Sequence, residues 1–385
     1  MANFEKMTQV GPLGIIALPG CEELAGRIDT YIAEWRRARP EWSAGYRSNS
    51  YMVDVSLPRF GSGEGKCTLN KTVRGTDLYI MVDVCNYSKT YTMSGIENSM
   101  SPDDHYQNLK RVIAACCGKP ARINVIMPFL YESRQHRRTA RESLDSALML
   151  QELVGMGVSN IFTFDAHDPR INNAIPLSGF ESFPTSYQFV KKLIRLDLHE
   201  EFDEKDLLIV SPDEGAVGRA IYFANILGVN VGMFYKRRDY SRIVNGKNPI
   251  VAHEFLGESV QGKTAVIVDD MIASGDSVVD VARQLKKRGA KRVIACATFG
   301  LFTAGMGVFD RAVEDGLIDY VLTTNLIYQN PETLARPYYA SVDMSEYLAS
   351  LIDTLNHNAS MESMLTPSEK IITRVSREKA DDDKK

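Results

Sequence analysis

Short continuous apolar runs alternate along this chain with longer stretches whose apolar residues recur every three or four positions. Leu13 to Leu18 is such a run, and the segment after it carries Leu24, Ile28, Ile32 and Trp35 on one helical face. Strands are expected near Tyr51 to Val55 and Leu78 to Val84. A helix bearing Tyr106, Leu109, Ile113 and Cys116 is then followed by a strand at Ile123 to Met127, and a helix around Leu144 to Val154 by one at Ile161 to Phe164. The second half continues with strand Leu207 to Val210, a helix bearing Ala216, Ala220, Phe223, Ala224 and Leu227, and strands Val229 to Phe234, Ala265 to Val268 and Val293 to Thr298. Runs without polar interruption fit strands buried on both faces, so the alternation predicts an α/β fold with parallel sheets flanked by helices. The Pro/Ser/Gly-rich stretch Pro176 to Pro184 interrupts it, which sets expected domains at 1–180 and 181–345, with a terminal helix and solvated tail at 346–385.

Parallel sheets bind ligands outside the carboxyl ends of their strands. The segments that follow those ends here are polar: PFLYESRQHRR from Pro128, DAHD from Asp165, SPDEG from Ser211, KRRD from Lys236 and DDMIASGDS from Asp269. The last is the most informative. Between the run Ala265 to Val268 and a helix with apolar Val278, Val281, Ala282 and Leu285 lies a Ser/Gly/Asp/Ser bend. Its backbone N–H groups, the positive end of the helix dipole and the hydroxyls of Ser274 and Ser277 suit a phosphate. Asp269 and Asp270 can accept hydrogen bonds from two neighbouring sugar hydroxyls, hold a metal ion, or simply cap the next helix. Phosphate donors beside sugar acceptors point to a ribose 5-phosphate.

In Val210 to Ala220, amides from Glu214 to Val217 can hold a second anionic group with Asp213 ligating a cation; a helix N-capped by Asp213 is the plainer reading. Lys236, Arg237 and Arg238 precede Asp239 to Pro249, a stretch without apolar period. That arrangement reads either as a loop that closes over a polyphosphate or as surface charge. Arg134 and Gln135, in a second basic run, are candidate nucleotide contacts or else surface or interface charge. His167, between Asp165 and Asp168, is a structural histidine or a metal or nucleotide contact. Gly257 to Thr264 reads GESVQGKT, a literal phosphate-loop pattern, yet its Gly-Lys pair precedes a strand instead of following one, so a tight turn is expected.

At 385 residues, 44% hydrophobic and 24% charged, the chain has the composition of a soluble globular protein of two domains. A net charge of -4 argues against a nucleic-acid binder. No apolar run approaches a membrane span and the opening lacks a secretory pattern, so a cytoplasmic protein away from membranes is expected. The six cysteines show no Cys-x-x-Cys spacing and read as reduced core residues.

Seven segments, in order, resemble the motifs of the ribose-phosphate pyrophosphokinase family. RFGSGE at Arg59 is similar to its RFxDGE segment, DDHYQNL at Asp103 to its NDxLMEL helix, SRQHRR at Ser133 to its ARQDR motif and FDAHD to its DLHA. SPDEGAVGRA resembles its pyrophosphate loop, KRR its flexible catalytic loop and VDDMIASGDS its ribose-phosphate loop. The resemblance spans roughly Leu13 to Leu326. It implies two similar domains of the phosphoribosyltransferase type, a hexamer built from dimers, and a Mg2+-dependent reaction of ATP with ribose 5-phosphate. It also implies roles: adenine held by Phe60 and Glu64 of a neighbouring subunit with Arg134 and Gln135, and His167 and Asp213 attending the metal and triphosphate. Asp213, Glu214, Gly215, Ala216 and Val217 would form the pyrophosphate loop, and Lys236 and Arg238 would be catalytic. Asp269 and Asp270 would bind the ribose hydroxyls, and Ser274, Gly275, Asp276 and Ser277 the 5-phosphate. The chain departs from the family at Ser62 and His136, which replace acids, at Asp276, which replaces glycine, and at Leu326, which replaces a hydroxyl residue. A type I phosphoribosyltransferase, or a non-catalytic regulatory subunit of the same family, is the alternative.

Overall fold

The computed structural model describes residues 9–39, 47–196, 205–238, 250–365 and 373. Its contacts divide the chain into two units, the first built from Met1–Pro184, Asn325–Tyr328 and Asp343–Leu365, the second from Thr185–Thr324 and Gln329–Val342.

The first unit opens with β1 (Leu13–Ala17) and α1 (Glu22–Ala38), followed by the short strands β2 (Val55–Ser56) and β3 (Thr68–Leu69), then β4 (Asp77–Met81). A hairpin, β5 (Thr90–Met93) and β6 (Ile96–Ser99), precedes α2 (Pro102–Cys116), β7 (Arg122–Ile126), α3 (Asp145–Gly155), β8 (Asn160–Phe164) and β9 (Gly179–Phe183). The main sheet has the order β1-β4-β7-β8-β9 with every pair parallel. Ala25, Ile28, Ile32 and Ala33 form the buried stripe of α1, and each fully buried isoleucine there contributes about 1.5–3 kcal/mol. Ser101 and Asp104 close a capping box around Pro102 at the start of α2. The strand expected at Tyr51 to Val55 is reduced to one bridge, Met52 to Ile15, followed by the two residues of β2. The stretch Pro176 to Pro184, expected to interrupt the alternation, instead contains β9, the last strand of this sheet.

The second unit runs α4 (Ser186–Arg195), β10 (Leu207–Ser211), α5 (Val217–Leu227), β11 (Asn230–Arg238), β12 (Ile250–Leu256), β13 (Thr264–Ile272) and α6 (Asp276–Lys287). It continues with β14 (Arg292–Gly300), α7 (Gly307–Glu314), β15 (Tyr320–Thr324), α8 (Pro331–Leu334) and β16 (Tyr339–Val342). The sheet order is β12-β11-β10-β13-β14-β15-β16, parallel except for the antiparallel edge strand β12. Strand order therefore reverses between β10 and β13, the place where such sheets open a crevice.

The chain then returns to the first unit as α9 (Ser345–Asn356) and α10 (Glu362–Leu365). A buried polar network fixes α9. The Asp77 carboxylate accepts from Arg122 Nε at 2.7 Å and Nη2 at 2.8 Å, from Asn124 at 2.8 Å and from Asn356 at 3.0 Å. Arg36 on α1 donates to Asp353 and Asn356, each at 2.8 Å. Both units are thus α/β, each a mainly parallel sheet with flanking helices.

Candidate active site

In the first unit, the carboxyl ends of β7 and β8 carry two of the expected loops, and the structure joins them. The rings of His136 and His167 lie 5.4 Å apart, edge to face. His136 Nε2 is 3.4 Å from Asp168 Oδ2, while its Nδ1 meets the Ser133 carbonyl at 3.2 Å. Asp168 in turn accepts from Arg170 Nη2 at 2.6 Å, and that guanidinium holds its carboxyl down at about 2. The chain turns sharply into this cluster: Asp165, just after β8, has φ +37°, a left-handed conformation disfavoured for a side-chain-bearing residue. Arg134 is exposed and Gln135 half-buried, in a turn closed by Gln135 N–H donating to the Glu132 carbonyl at 2.8 Å. Burial, with the nearby Asp103 and Asp145, pushes the Glu132 carboxyl up, whereas Arg134 pulls it down.

Phe60 and Glu64 sit on a separate loop of the same unit. Its ends are tied by the Arg59–Gly65 bridge and by Phe60 N–H donating to the Glu64 carbonyl at 2.8 Å. Arg59 pins the loop to α2 through Asp104 at 3.0 Å. Phe60 is 55% exposed, so its ring is available for stacking. Ser62 donates to the Glu64 carboxylate at 2.8 Å; the departure from an acid at position 62 thereby engages Glu64 instead of repelling it.

In the second unit, the loops after β10 and β13 flank the reversal of strand order. The Asp213 carboxylate accepts from the amides of Gly215 at 2.9 Å and Ala216 at 3.3 Å, and Ser211 donates to the Asp213 carbonyl at 2.6 Å. Asp213 thus shapes its own loop, with Glu214, Gly215 and Ala216 ahead of Val217, the first residue of α5. Asp269 and Asp270 lie within β13, which continues through Ile272 beside β14 instead of ending at Val268. Asp269 accepts from the Asp270 amide at 2.9 Å, and Asp270 from the Met271 amide at 3.0 Å. Burial, and then the neighbouring Asp270 charge, pushes the Asp269 carboxyl well up, so binding hydroxyl donors or a cation there relieves an existing penalty.

Arg219 is the residue that motif reading overlooked. It stands 4.0 Å from Asp269 Oδ1, and its positive charge draws the Asp269 pKa back down. A signal existed: a cation in the first turn of a helix opposes the helix dipole and calls for a counter-charge.

After β13, Gly275 (φ +95°) precedes α6, where no side chain caps the helix. A Cβ there would come 2.5 Å from the Phe309 ring, so the neighbouring ring would have to move for any other residue. The first-turn amides of α6 are presented to the bend at Ser274–Ser277. The Asp276 carboxylate accepts from the Ser274 hydroxyl at 2.8 Å. The expected loop at KRR is strand instead: β11 continues to Arg238, with Lys236 opposite His253 and Arg238 opposite Ile250. The backbones of Lys236 and Arg238 are so placed, while their side chains and the whole of Asp239 to Pro249 lie outside the described residues. The Gly-Lys pair of the literal phosphate-loop pattern forms a turn between β12 and β13, where Lys263 N–H donates to the Val260 carbonyl at 3.0 Å.

Among the described residues no group of three or more His, Cys, Asp and Glu could hold a metal ion, and no helix is long and apolar enough to cross a membrane.

Comparison with known proteins places the chain in a family. Residues 13–157 match the family model described as the N-terminal domain of ribose phosphate pyrophosphokinase, and residues 180–312 match the phosphoribosyl transferase domain. The chain is 30% identical to the ribose-phosphate pyrophosphokinase of Synechococcus elongatus over 309 residues, covering 80% of this chain and 84% of that protein. It is 34% identical to that of Thermosipho africanus over 257 residues, covering 66% and 73%. Its fold matches the crystal structure of phosphoribosylpyrophosphate synthetase from Mycobacterium smegmatis with a TM-score of 0.71 and 21% identity, over 90% of this chain and 99% of the other.

Proposed function

We propose that this chain, which belongs to the ribose-phosphate pyrophosphokinase family, transfers the pyrophosphoryl group of ATP to the C1 hydroxyl of ribose 5-phosphate, giving AMP and 5-phosphoribosyl 1-pyrophosphate. The observation that carries the reading is the second unit's crevice: an acid pair on β13, followed at once by an uncapped helix N-terminus behind a glycine where any side chain would be strained. A phosphorylated pentose fits that order of groups. Its 5-phosphate takes the amides of α6 and the hydroxyls of Ser274 and Ser277, while its ring hydroxyls donate to Asp269 and Asp270. Arg219 limits the repulsion within the acid pair.

The nucleotide falls to the first unit. Phe60 offers an exposed ring for the adenine, Arg134 and Gln135 offer donors, and His167 is steadied by the His136–Asp168 pair. Phe60 and Glu64 would act on the nucleotide of a neighbouring subunit in a hexamer built from dimers. The C1 oxygen attacks the β-phosphorus in line with the departing AMP, so catalysis consists of alignment and neutralisation of a highly anionic centre. Lys236 and Arg238, on the last residues of β11, supply cationic charge that matters most as the transition state forms.

The residues fit Mg2+. That ion keeps most of its waters and takes one or two protein groups with the substrate phosphates, so a cage of three side chains is not required. Asp213 in the second unit, one of whose carboxylate oxygens is left over from its loop bonds, is the group that would hold it there, and His167 in the first unit would attend the nucleotide's side of the metal and triphosphate. Bound Mg2+ supplies charge neutralisation on the phosphate oxygens. The setting proposed for this reaction is the cytoplasm.

Titration calorimetry tests the crevice. Asp269→Asn combined with Asp270→Asn should weaken ribose 5-phosphate binding by about two orders of magnitude, since each lost charge-assisted hydrogen bond is worth roughly 1.5 kcal/mol, and should leave binding of a non-hydrolysable ATP analogue unchanged. Unaltered ribose 5-phosphate binding, or equal loss of both ligands, contradicts the assignment.

A further inference from the structure

The loop that carries Phe60 and Glu64 has no anchor in the core: none of residues 59 to 66 is buried, and glycine recurs at positions 61, 63 and 65. Glycine loses more freedom than any other residue when it is held in one conformation. A ligand that needs Phe60 and Glu64 in place therefore binds in proportion to the fraction of molecules in which they are so held. What holds the loop lies outside it. The hairpin β5–β6, in the same unit, reaches it at three points. Ser94 N–H donates to the Gly61 carbonyl at 2.8 Å. Met93 fills the space beside Gly63, where a Cβ would come 2.7 Å from its sulfur. The Arg59 guanidinium lies over the Tyr91 ring, 4.4 Å from its centre, while its Nη1 donates to the Gly63 carbonyl at 2.9 Å and its Nη2 to Asp104 of α2 at 3.0 Å.

The hairpin is itself stiff and tethered. Its turn residues, Ser94 at φ +51° and Gly95 at φ +79°, have the pair of positive angles that a tight two-residue connection requires. At its open end Met100 N–H donates to the Lys89 carbonyl at 2.8 Å, and Lys89 reaches Glu22 at the start of α1 at 3.3 Å. Neither strand contains a buried residue, so the hairpin adds nothing to the core of the unit and its grip on the Phe60 loop is what it contributes. We propose that hairpin β5–β6 is a strut that holds the nucleotide-binding loop ready, with Tyr91, acting through Arg59, and Met93 and Ser94 as positioning residues that set the affinity for ATP. This rests on the assignment of Phe60 and Glu64 to the nucleotide.

Steady-state kinetics on the full chain tests both layers. Phe60→Ala examines the assignment alone and should raise the KM for ATP about tenfold, the worth of one base stacked on an aromatic ring. Tyr91→Ala should raise the KM for ATP by up to about fivefold, as loss of a partly exposed cation–π contact does, with kcat and the KM for ribose 5-phosphate unchanged. Tyr91→Phe keeps the ring beneath Arg59 and should restore the parent KM. In a Phe60→Ala background Tyr91→Ala should have a smaller effect, about twofold or less, because the two residues act through one loop. If Phe60→Ala raises the KM for ATP while Tyr91→Ala does not, the strut is overturned and the nucleotide assignment stands. Equal loss in Tyr91→Phe, full multiplication of effects in the double variant, or a matching rise in the KM for ribose 5-phosphate also overturns the strut. An unchanged KM for ATP in Phe60→Ala removes the nucleotide assignment, and the strut's role with it.

Discussion

Asp276 is the residue at which this chain most alters the chemistry of its ribose-phosphate bend. Its carboxylate holds the Ser274 hydroxyl, one of the donors a 5-phosphate would use, and adds negative charge at the first position of α6. Asp276→Asn keeps the shape and removes the charge, so the KM for ribose 5-phosphate should fall by up to about fivefold, the worth of an exposed charge interaction of ~1 kcal/mol. Steady-state kinetics with ATP saturating measures this, and an unchanged or higher KM speaks against repulsion. Lys236 acts on developing charge, so Lys236→Ala should lower kcat by at least about a hundredfold with little effect on ATP affinity. A mutant with near-normal turnover would remove Lys236 from the mechanism. Asp83 gives a pH prediction. It is buried just beyond β4, accepts from Cys85 N–H at 2.9 Å and Tyr328 N–H at 2.6 Å, and burial pushes it up to about 7. Because its folded-state value exceeds the unfolded one, the folded chain holds the extra proton between about pH 4 and 7, and stability falls as pH rises through that window. Asp83→Asn should flatten the decline of Tm between pH 5 and 7, followed by circular dichroism; a parallel decline in both proteins would assign it to another group.

At the scale of elements, the bend before α6 depends on Gly275. Gly275→Ala sets a methyl group against Phe309 in a backbone conformation that alanine resists, which should cost roughly 1–3 kcal/mol of stability and raise the ribose 5-phosphate KM together. Thermal melts and kinetics on one preparation check both effects. Such elements were legible in the sequence because strands buried on both faces read as unbroken apolar runs, as Ile161 to Phe164 and Ala265 to Val268 do. Where polar residues enter a strand the signal fails. β13 runs on through Asp269 and Asp270, and β11 through Lys236 and Arg238, because backbone pairing with β14 and β12 holds them extended whatever their side chains prefer. β9 was hidden for a related reason: Gly179, Glu181 and Ser182 within it and the prolines at 176 and 184 resemble loop composition. The individual loops at the site were readable from Gly, Ser and Asp at strand ends. Their partners were not, since Arg219 meets Asp269 and His136 meets His167 across gaps in sequence that no periodicity reports.

For the whole molecule, the return of residues 343–365 to the first unit is the feature least visible in the sequence. It involves long-range polar pairing between Arg36 and Asp353 and between Asp77 and Asn356, which no local pattern reports. Asn356→Leu leaves Asp77 and Arg36 each short of a hydrogen-bond partner and should cost about 1–3 kcal/mol for each buried group left unsatisfied. Chemical denaturation measures that loss; an unchanged midpoint would show the network to be dispensable. The central claim concerns chemistry at the β-phosphorus, and oxygen labelling reads it directly. Ribose 5-phosphate carrying 18O at the C1 hydroxyl, incubated with ATP and Mg2+ and followed by mass spectrometry, should yield AMP and 5-phosphoribosyl 1-pyrophosphate with the label kept in the bond between C1 and the pyrophosphate. Formation of ADP in place of AMP, or loss of the label from that bond, would contradict the account.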